Sequence, residues 1–158
     1  MSRMFVPGPV DVADEVLQAQ AAPMLPHRSK EFEAIFRRAS EKSQKLFYTN
    51  YRVFLSASSG TGLQEAAIRN FVNKRVLSIV NGAFADRWHD VAVSNGKDVE
   101  KLSFDWDKPA SPDLVADSVK RGGFEALTVV HNETSTGLQN PVKEIAEAVR
   151  AVSPDTLI

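Results

Sequence analysis

The sequence predicts an α/β fold: a mainly parallel sheet with helices on both faces. Three observations carry this. Leu77-Ser78-Ile79-Val80 and Ala126-Leu127-Thr128-Val129-Val130 are short and nearly all apolar, which suits strands covered on both sides. Such segments alternate with stretches of helical spacing, the pattern of βαβ units. Of the 158 residues, 43% are hydrophobic and 25% charged, a globular balance that excludes disorder.

The elements follow in order. Residues 11–21 and 29–47 read as helices. In the second, Phe32, Ile35, Phe36 and Ala39 fall at helical spacing, and Ser29 stands where a cap belongs. An alternation then begins. Strands are expected at 51–57, 75–80, 99–104 and 126–130. Helices are expected at 60–72, 84–93, 113–121 and 142–152. Residues 154–158 read as a turn and the first residues of another strand. A buried strand cut off so early leaves backbone groups unmet, so the fold is expected to be incomplete at its C-terminus, in a chain that is truncated, cleaved or partly reported. Residues 1–20 are expected to form an N-terminal segment, and residues 21–158 one sheet domain.

Charge and composition narrow the function classes. The net charge is -1, with no basic excess to hold a nucleic acid. There is no cysteine, hence no disulfide, thiolate metal site or cysteine nucleophile. This fits a cytoplasmic protein. Residues 1–9 lack the apolar core of a signal peptide. No apolar run approaches the roughly 20 residues that span a bilayer, so no membrane partner is expected.

In doubly covered parallel sheets, ligands sit beyond the carboxyl ends of the strands. Three polar loops fall there. Ser56-Ala57-Ser58-Ser59-Gly60-Thr61-Gly62 opens a helix. Its glycines permit close approach, and the helix N-terminus offers unpaired N–H groups and partial positive charge to a phosphate. It lacks a P-loop lysine and the GxGxxG spacing, which disfavours nucleotides. The same residues also read as a Ser/Gly turn that only caps a helix. Asn81-Gly82-Ala83-Phe84 is a turn that sets Phe84 near the mouth of the sheet, where an aromatic face can stack on a flat heterocycle. Taken alone, Phe84 reads as a core aromatic, and Trp88, four residues on, as packing. His131-Asn132-Glu133-Thr134-Ser135-Thr136-Gly137 follows the last apolar strand. Thr134 is placed to donate to a phenolate oxygen, and Asn132 or Glu133 to orient the loop. His131 reads as a satisfied histidine at a strand end rather than a base.

Together these loops resemble the class V aminotransferases of fold type I, which depend on pyridoxal 5'-phosphate. The likeness is strongest to the alanine–glyoxylate, serine–glyoxylate and serine–pyruvate members, and it runs from Pro7-Gly8-Pro9 to the last strand. The resemblance implies the large cofactor-binding domain of that fold. Ser59, Gly60 and Thr61 would bind the cofactor phosphate, Phe84 would stack on the pyridine ring, and Thr134 would lie near O3'. Gly8 would approach the substrate by its backbone. His27-Arg28-Ser29 resembles a further family segment without an assigned role. Relatives of this fold are homodimers, so a homodimer is expected.

The resemblance also implies parts that do not match here. The aspartate for the pyridine nitrogen, the Schiff-base lysine and the carboxylate-binding arginine would lie beyond Ile158. Neither Lys74 nor Lys97, nor any other lysine of the chain, has the matching context. The expected function is transfer of an amino group from serine or alanine to glyoxylate or pyruvate, with this chain alone inactive. A lyase or desulfurase on the same scaffold is the alternative. Many desulfurases stack a histidine on the ring, and Phe84 leans towards transamination. A catalytically inactive fragment, or a module binding some other anion, is the non-enzymatic alternative.

Overall fold

The computed structural model describes residues 3–158, and these fall in two compact units that part between Ala57 and Ser58. The expected boundary after residue 20 falls inside the first.

The first unit holds two helices, α1 (Asp14–Gln20) and α2 (Lys30–Leu46). Ser29 caps α2, its hydroxyl accepting from the N–H of Phe32 at 3.1 Å, and Phe32 and Phe36 stack one turn apart with centroids 6.2 Å from each other. The strand expected at 51–57 does not form. Its apolar and aromatic residues favour an extended chain, but a strand exists only through a partner's N–H and C=O groups. Among the described residues none pairs with this segment, and Tyr51 and Phe54 remain exposed.

The second unit is the sheet domain. Its first elements are α3 (Gly60–Phe71), β1 (Arg75–Val80), α4 (Ala83–Ser94) and β2 (Asp98–Ser103). These are followed by α5 (Pro112–Gly122), β3 (Ala126–Thr128), β4 (Asn132–Glu133), β5 (Leu138–Gln139) and α6 (Val142–Val152). The main sheet has the order β2-β1-β3, all parallel. Leu157 adds a parallel bridge to Ala126, the start of the further strand expected near Thr156.

Helices cover both faces. On one, Leu77, Ile79 and Leu127 pack with Val115 and Val119 of α5 and Ile145 and Val149 of α6. On the other, Val76 and Ala126 pack with Ile68 of α3 and Val91 and Ala92 of α4, with Trp88 against them. Alternate strand residues point to opposite faces. Leu77 and Ile79 therefore feed one core and Val76 the other, and the strand reads as continuously apolar.

Two details differ from the expectation. The strand predicted to reach Val130 stops at Thr128, because the Val130 carbonyl accepts from the Asn140 side chain at 2.7 Å instead of joining a ladder. The third polar loop folds on itself as the β4–β5 hairpin, pairing Asn132 with Gln139 and Glu133 with Leu138. Gly137, at φ 74°, supplies the left-handed residue that closes the turn. Strands of two residues are too short to show a period of two.

Candidate cofactor site

The second and third loops follow β1 and β3, the first opens α3, and two helices begin at these loops with different N-termini. At α3, Ser59 is the cap: its hydroxyl accepts from the N–H of Gly62 at 3.1 Å and its carbonyl from Leu63. Among the described residues nothing accepts from the N–H groups of Gly60 and Thr61. Ser59, Gly60 and Thr61 are exposed, and a Cβ added at Gly60 meets nothing within 4 Å. Gly60 therefore serves no packing within the chain. It fronts open space beside two free donors and the positive end of a helix.

At α4 the same position is filled. The N-cap is Gly82, which has no side chain to contribute. The carboxylate of Glu133 reaches it from the hairpin, accepting from the N–H of Ala85 at 2.9 Å and of Phe84 at 3.4 Å. Ser135 completes the contact. Its hydroxyl donates to Glu133 at 2.6 Å and accepts from the N–H of Ala83 at 3.0 Å, and its N–H also reaches the carboxylate. Glu133 is fully buried. Burial pushes its pKa up, but the Ser135 hydroxyl and the N–H groups of Ala85, Ser135 and Phe84 outweigh that and hold it below the ordinary value of 4.5.

At Gly82 a side chain would collide with the cap, since its Cβ would lie 2.2 Å from Cγ and 2.4 Å from Cδ of Glu133. Substituting alanine is expected to push the carboxylate off the helix and cost about 1–3 kcal/mol by overpacking. Urea unfolding checks this; an unchanged midpoint would mean the glutamate can step aside freely.

A second polar cluster ties the strand ends together. Asn81 and Asn140 are buried and bonded to each other reciprocally, Nδ2 to Oδ1, at 2.8 and 3.2 Å. Asn81 also donates to the Lys108 carbonyl. Asn140 accepts from the N–H of Ala110, and its own N–H donates to the His131 carbonyl. One amide pair thus fixes the end of β1, the segment after β2, the segment after β3 and the approach to α6. Sequence reasoning read Asn81 only as a turn residue and did not single out Asn140. Asn140-Pro141 before a helix was the available signal, and it marks a turn without revealing burial.

The predicted site residues fall as follows. Phe84 lies on the first turn of α4, half-exposed and outside both core clusters, so it is not a core aromatic. Thr134 is exposed at the hairpin turn. Glu133 and Ser135 join the second and third loops, so Phe84 and Thr134 belong to one bonded assembly. The first loop stands beside them, since α3 packs on α4, and Thr61 shares a cleft with Arg87 and Asp90 of α4. No described hydrogen bond links Ser59, Gly60 or Thr61 to Phe84 or Thr134, and neither Phe84 nor Thr134 lines the cleft that holds Thr61. His131 is exposed, and its ring has no hydrogen-bond partner among the described residues. Gly8 belongs to the other unit and is exposed, and a Cβ added there meets nothing within 4 Å.

This donor set suits a phosphorylated aromatic ring: free N–H groups and hydroxyls on a helix N-terminus for the phosphate, a half-exposed phenyl face, and an exposed hydroxyl.

No family model matches. An uncharacterized aminotransferase of Methanocaldococcus jannaschii is 38% identical over 150 residues, covering 93% of this chain and 39% of the relative. The serine–glyoxylate aminotransferase of Methylorubrum extorquens is 31% identical, with 99% of this chain and 40% of the relative covered. Among solved structures, an aspartate aminotransferase of subgroup IV from Thermus thermophilus superposes with a TM-score of 0.88 at 33% identity, over 96% of this chain and 43% of that one. The chain spans about two fifths of the length of the curated relatives it matches. In sequence and in α/β fold alike, it is similar over nearly its whole length to the N-terminal part of aminotransferases of the alanine–glyoxylate and serine–glyoxylate kind.

Proposed function

We propose that this chain is the cofactor-cradling part of a pyridoxal-phosphate-dependent aminotransferase. The reaction is transfer of an amino group from a small amino acid, serine or alanine, to glyoxylate or pyruvate. The observation that carries the reading is the contrast between two neighbouring helix starts. The protein's own carboxylate fills that of α4, whereas that of α3 keeps two N–H groups free at an unobstructed glycine. A phosphate dianion is the ligand such an end attracts.

When bound, pyridoxal phosphate supplies the electron sink for loss of the α-proton of an amino acid. The chain's residues do the placing. Gly60 and Thr61 donate from the backbone and Ser59 and Thr61 from hydroxyls to the phosphate. Phe84 offers its ring to the pyridine face, and Thr134 donates at O3'. The names of the relatives support transamination over lyase chemistry. The same reading takes the protein as a cytoplasmic homodimer; none of the described helices is long and apolar enough to cross a membrane.

Gly60→Asp tests the phosphate site. Its side chain would project into open space and set a fixed carboxylate at the α3 N-terminus. Titration with pyridoxal phosphate is expected to show at least a tenfold weaker Kd, as one charge-assisted contact is replaced by repulsion, with the melting temperature kept. Equal affinity in the variant would rule out this helix as the phosphate site. The 158-residue chain itself is expected to release no keto acid from serine or alanine with glyoxylate, since it would bind and place the cofactor without a lysine suited to the covalent step.

A further inference from the structure

We infer that Glu133 is a positioning residue that locks the stacking ring of Phe84 and the hydroxyl of Thr134 into one unit, so that it governs recognition of the cofactor ring and not of its phosphate. The inference rests on the cofactor reading above and deepens it.

Helices are ordinarily capped by the residue at their own start, and a serine or aspartate at position 82 would satisfy the same donors. Here α4 has glycine at that place, and its missing Cβ is the passage through which the Glu133 side chain runs. The cap comes instead from 48 residues further along the chain. A remote cap does something a local one cannot, which is to fasten two loops to each other. Oε2 of the carboxylate accepts from the N–H of Ala85, and Oε1 accepts from the N–H of Phe84. The same Oε1 also accepts from the N–H and the hydroxyl of Ser135, so one oxygen joins the helix start to the hairpin. Thr134 sits between Glu133 and Ser135, so the backbone on either side of its hydroxyl is tied to the helix that carries the phenyl ring. The α3 loop takes no part in these bonds. Loosening Glu133 should therefore let the ring-facing groups drift while the phosphate loop stays as it is.

The test compares two probes on the full 158-residue chain, inorganic phosphate and pyridoxal phosphate, by titration calorimetry. The ratio of their dissociation constants measures what the ring adds. Glu133→Gln is expected to keep phosphate affinity within about twofold and to lower that ratio about tenfold, the worth of one charge-assisted hydrogen bond. Ser135→Ala, at an exposed position, is expected to lower it less and in the same direction, and it decides the matter if the first variant does not fold. A general loss of stability would weaken both probes together and leave the ratio alone. Folded variants with the wild-type ratio, or with both affinities reduced equally, would overturn the inference. If the unaltered chain binds neither probe, the cofactor reading fails first and this inference with it; binding of both probes with no ring contribution overturns this inference alone.

Discussion

Replacing Asn140 with alanine is expected to lower the unfolding free energy by about 3–5 kcal/mol, a loss at the upper end for a single substitution. The side chain removed is 1% exposed, so water cannot simply take over its contacts. Its Oδ1 accepts from Asn81 and from the N–H of Ala110, and its Nδ2 donates to Asn81 and to the Val130 carbonyl. Truncation leaves the Ala110 donor, the Val130 acceptor and one bond to each end of the Asn81 amide unmet in a buried place. An unsatisfied buried group costs about 1–3 kcal/mol, and partial relaxation keeps the sum below the simple total. Aspartate offers no rescue, since it would turn an oxygen towards the Val130 carbonyl and bury a charge. Urea unfolding of Asn140→Ala, Asn81→Ala and the double variant forms a cycle whose coupling is expected at about 1–3 kcal/mol. A cost under 1 kcal/mol for the Asn140 variant, or strict additivity, would show that the reciprocal pair does not tie the strand ends together.

Glu133→Ala is expected to cost about 2–4 kcal/mol at neutral pH, because hydrogen bonds to an ionised group are each worth about 1.5–3 kcal/mol and several donors lose their acceptor at once. The effect carries a pH signature. The folded-state pKa of Glu133 lies below its ordinary value of 4.5, so the unfolded chain takes up the proton first. The contribution is fully present above that ordinary value and drains away as pH falls through the lower folded value. Stability measured by denaturant titration from neutral to acid pH should therefore fall more gently in Glu133→Gln than in the unaltered chain, with the two curves converging below about pH 4.5. Parallel curves would mean that the carboxylate is not preferentially ionised in the fold.

How far these features can be read from sequence depends on whether a local pattern or a distant partner creates them. The helices and the strands β1 and β2 were legible because apolar spacing and caps such as Ser29 and Ser59 are local. The segment 51–57 carries the residues of a strand, yet pairing is a property of two chains of atoms, and the second is not visible in the first. Val129 and Val130 look like strand for the same reason, and it is Asn140, ten residues on, that withdraws the Val130 carbonyl from the ladder. At the candidate site, the order of the polar loops announced which residues face the end of the sheet. That Glu133 would cross to α4, and that Gly82 would be small to let it pass, depends on a contact between residues about fifty positions apart. Glu133 was recognised as a candidate for orienting its loop, without any sign of what it would hold.

The register of β1 has a consequence for how the domain opens. All six of its residues are matched by β2 on one side and three of them by β3 on the other, and five of the six are buried. Its amide protons can meet deuterium only when the sheet comes apart as a whole. They should exchange last in the molecule, at a rate set by global unfolding, while the amides of Gly60 and Thr61, with no acceptor to leave, should exchange almost at once. Mass-resolved deuterium uptake would order the two ends of that scale. Uptake by β1 as fast as by the α3 start would contradict the sheet order described here.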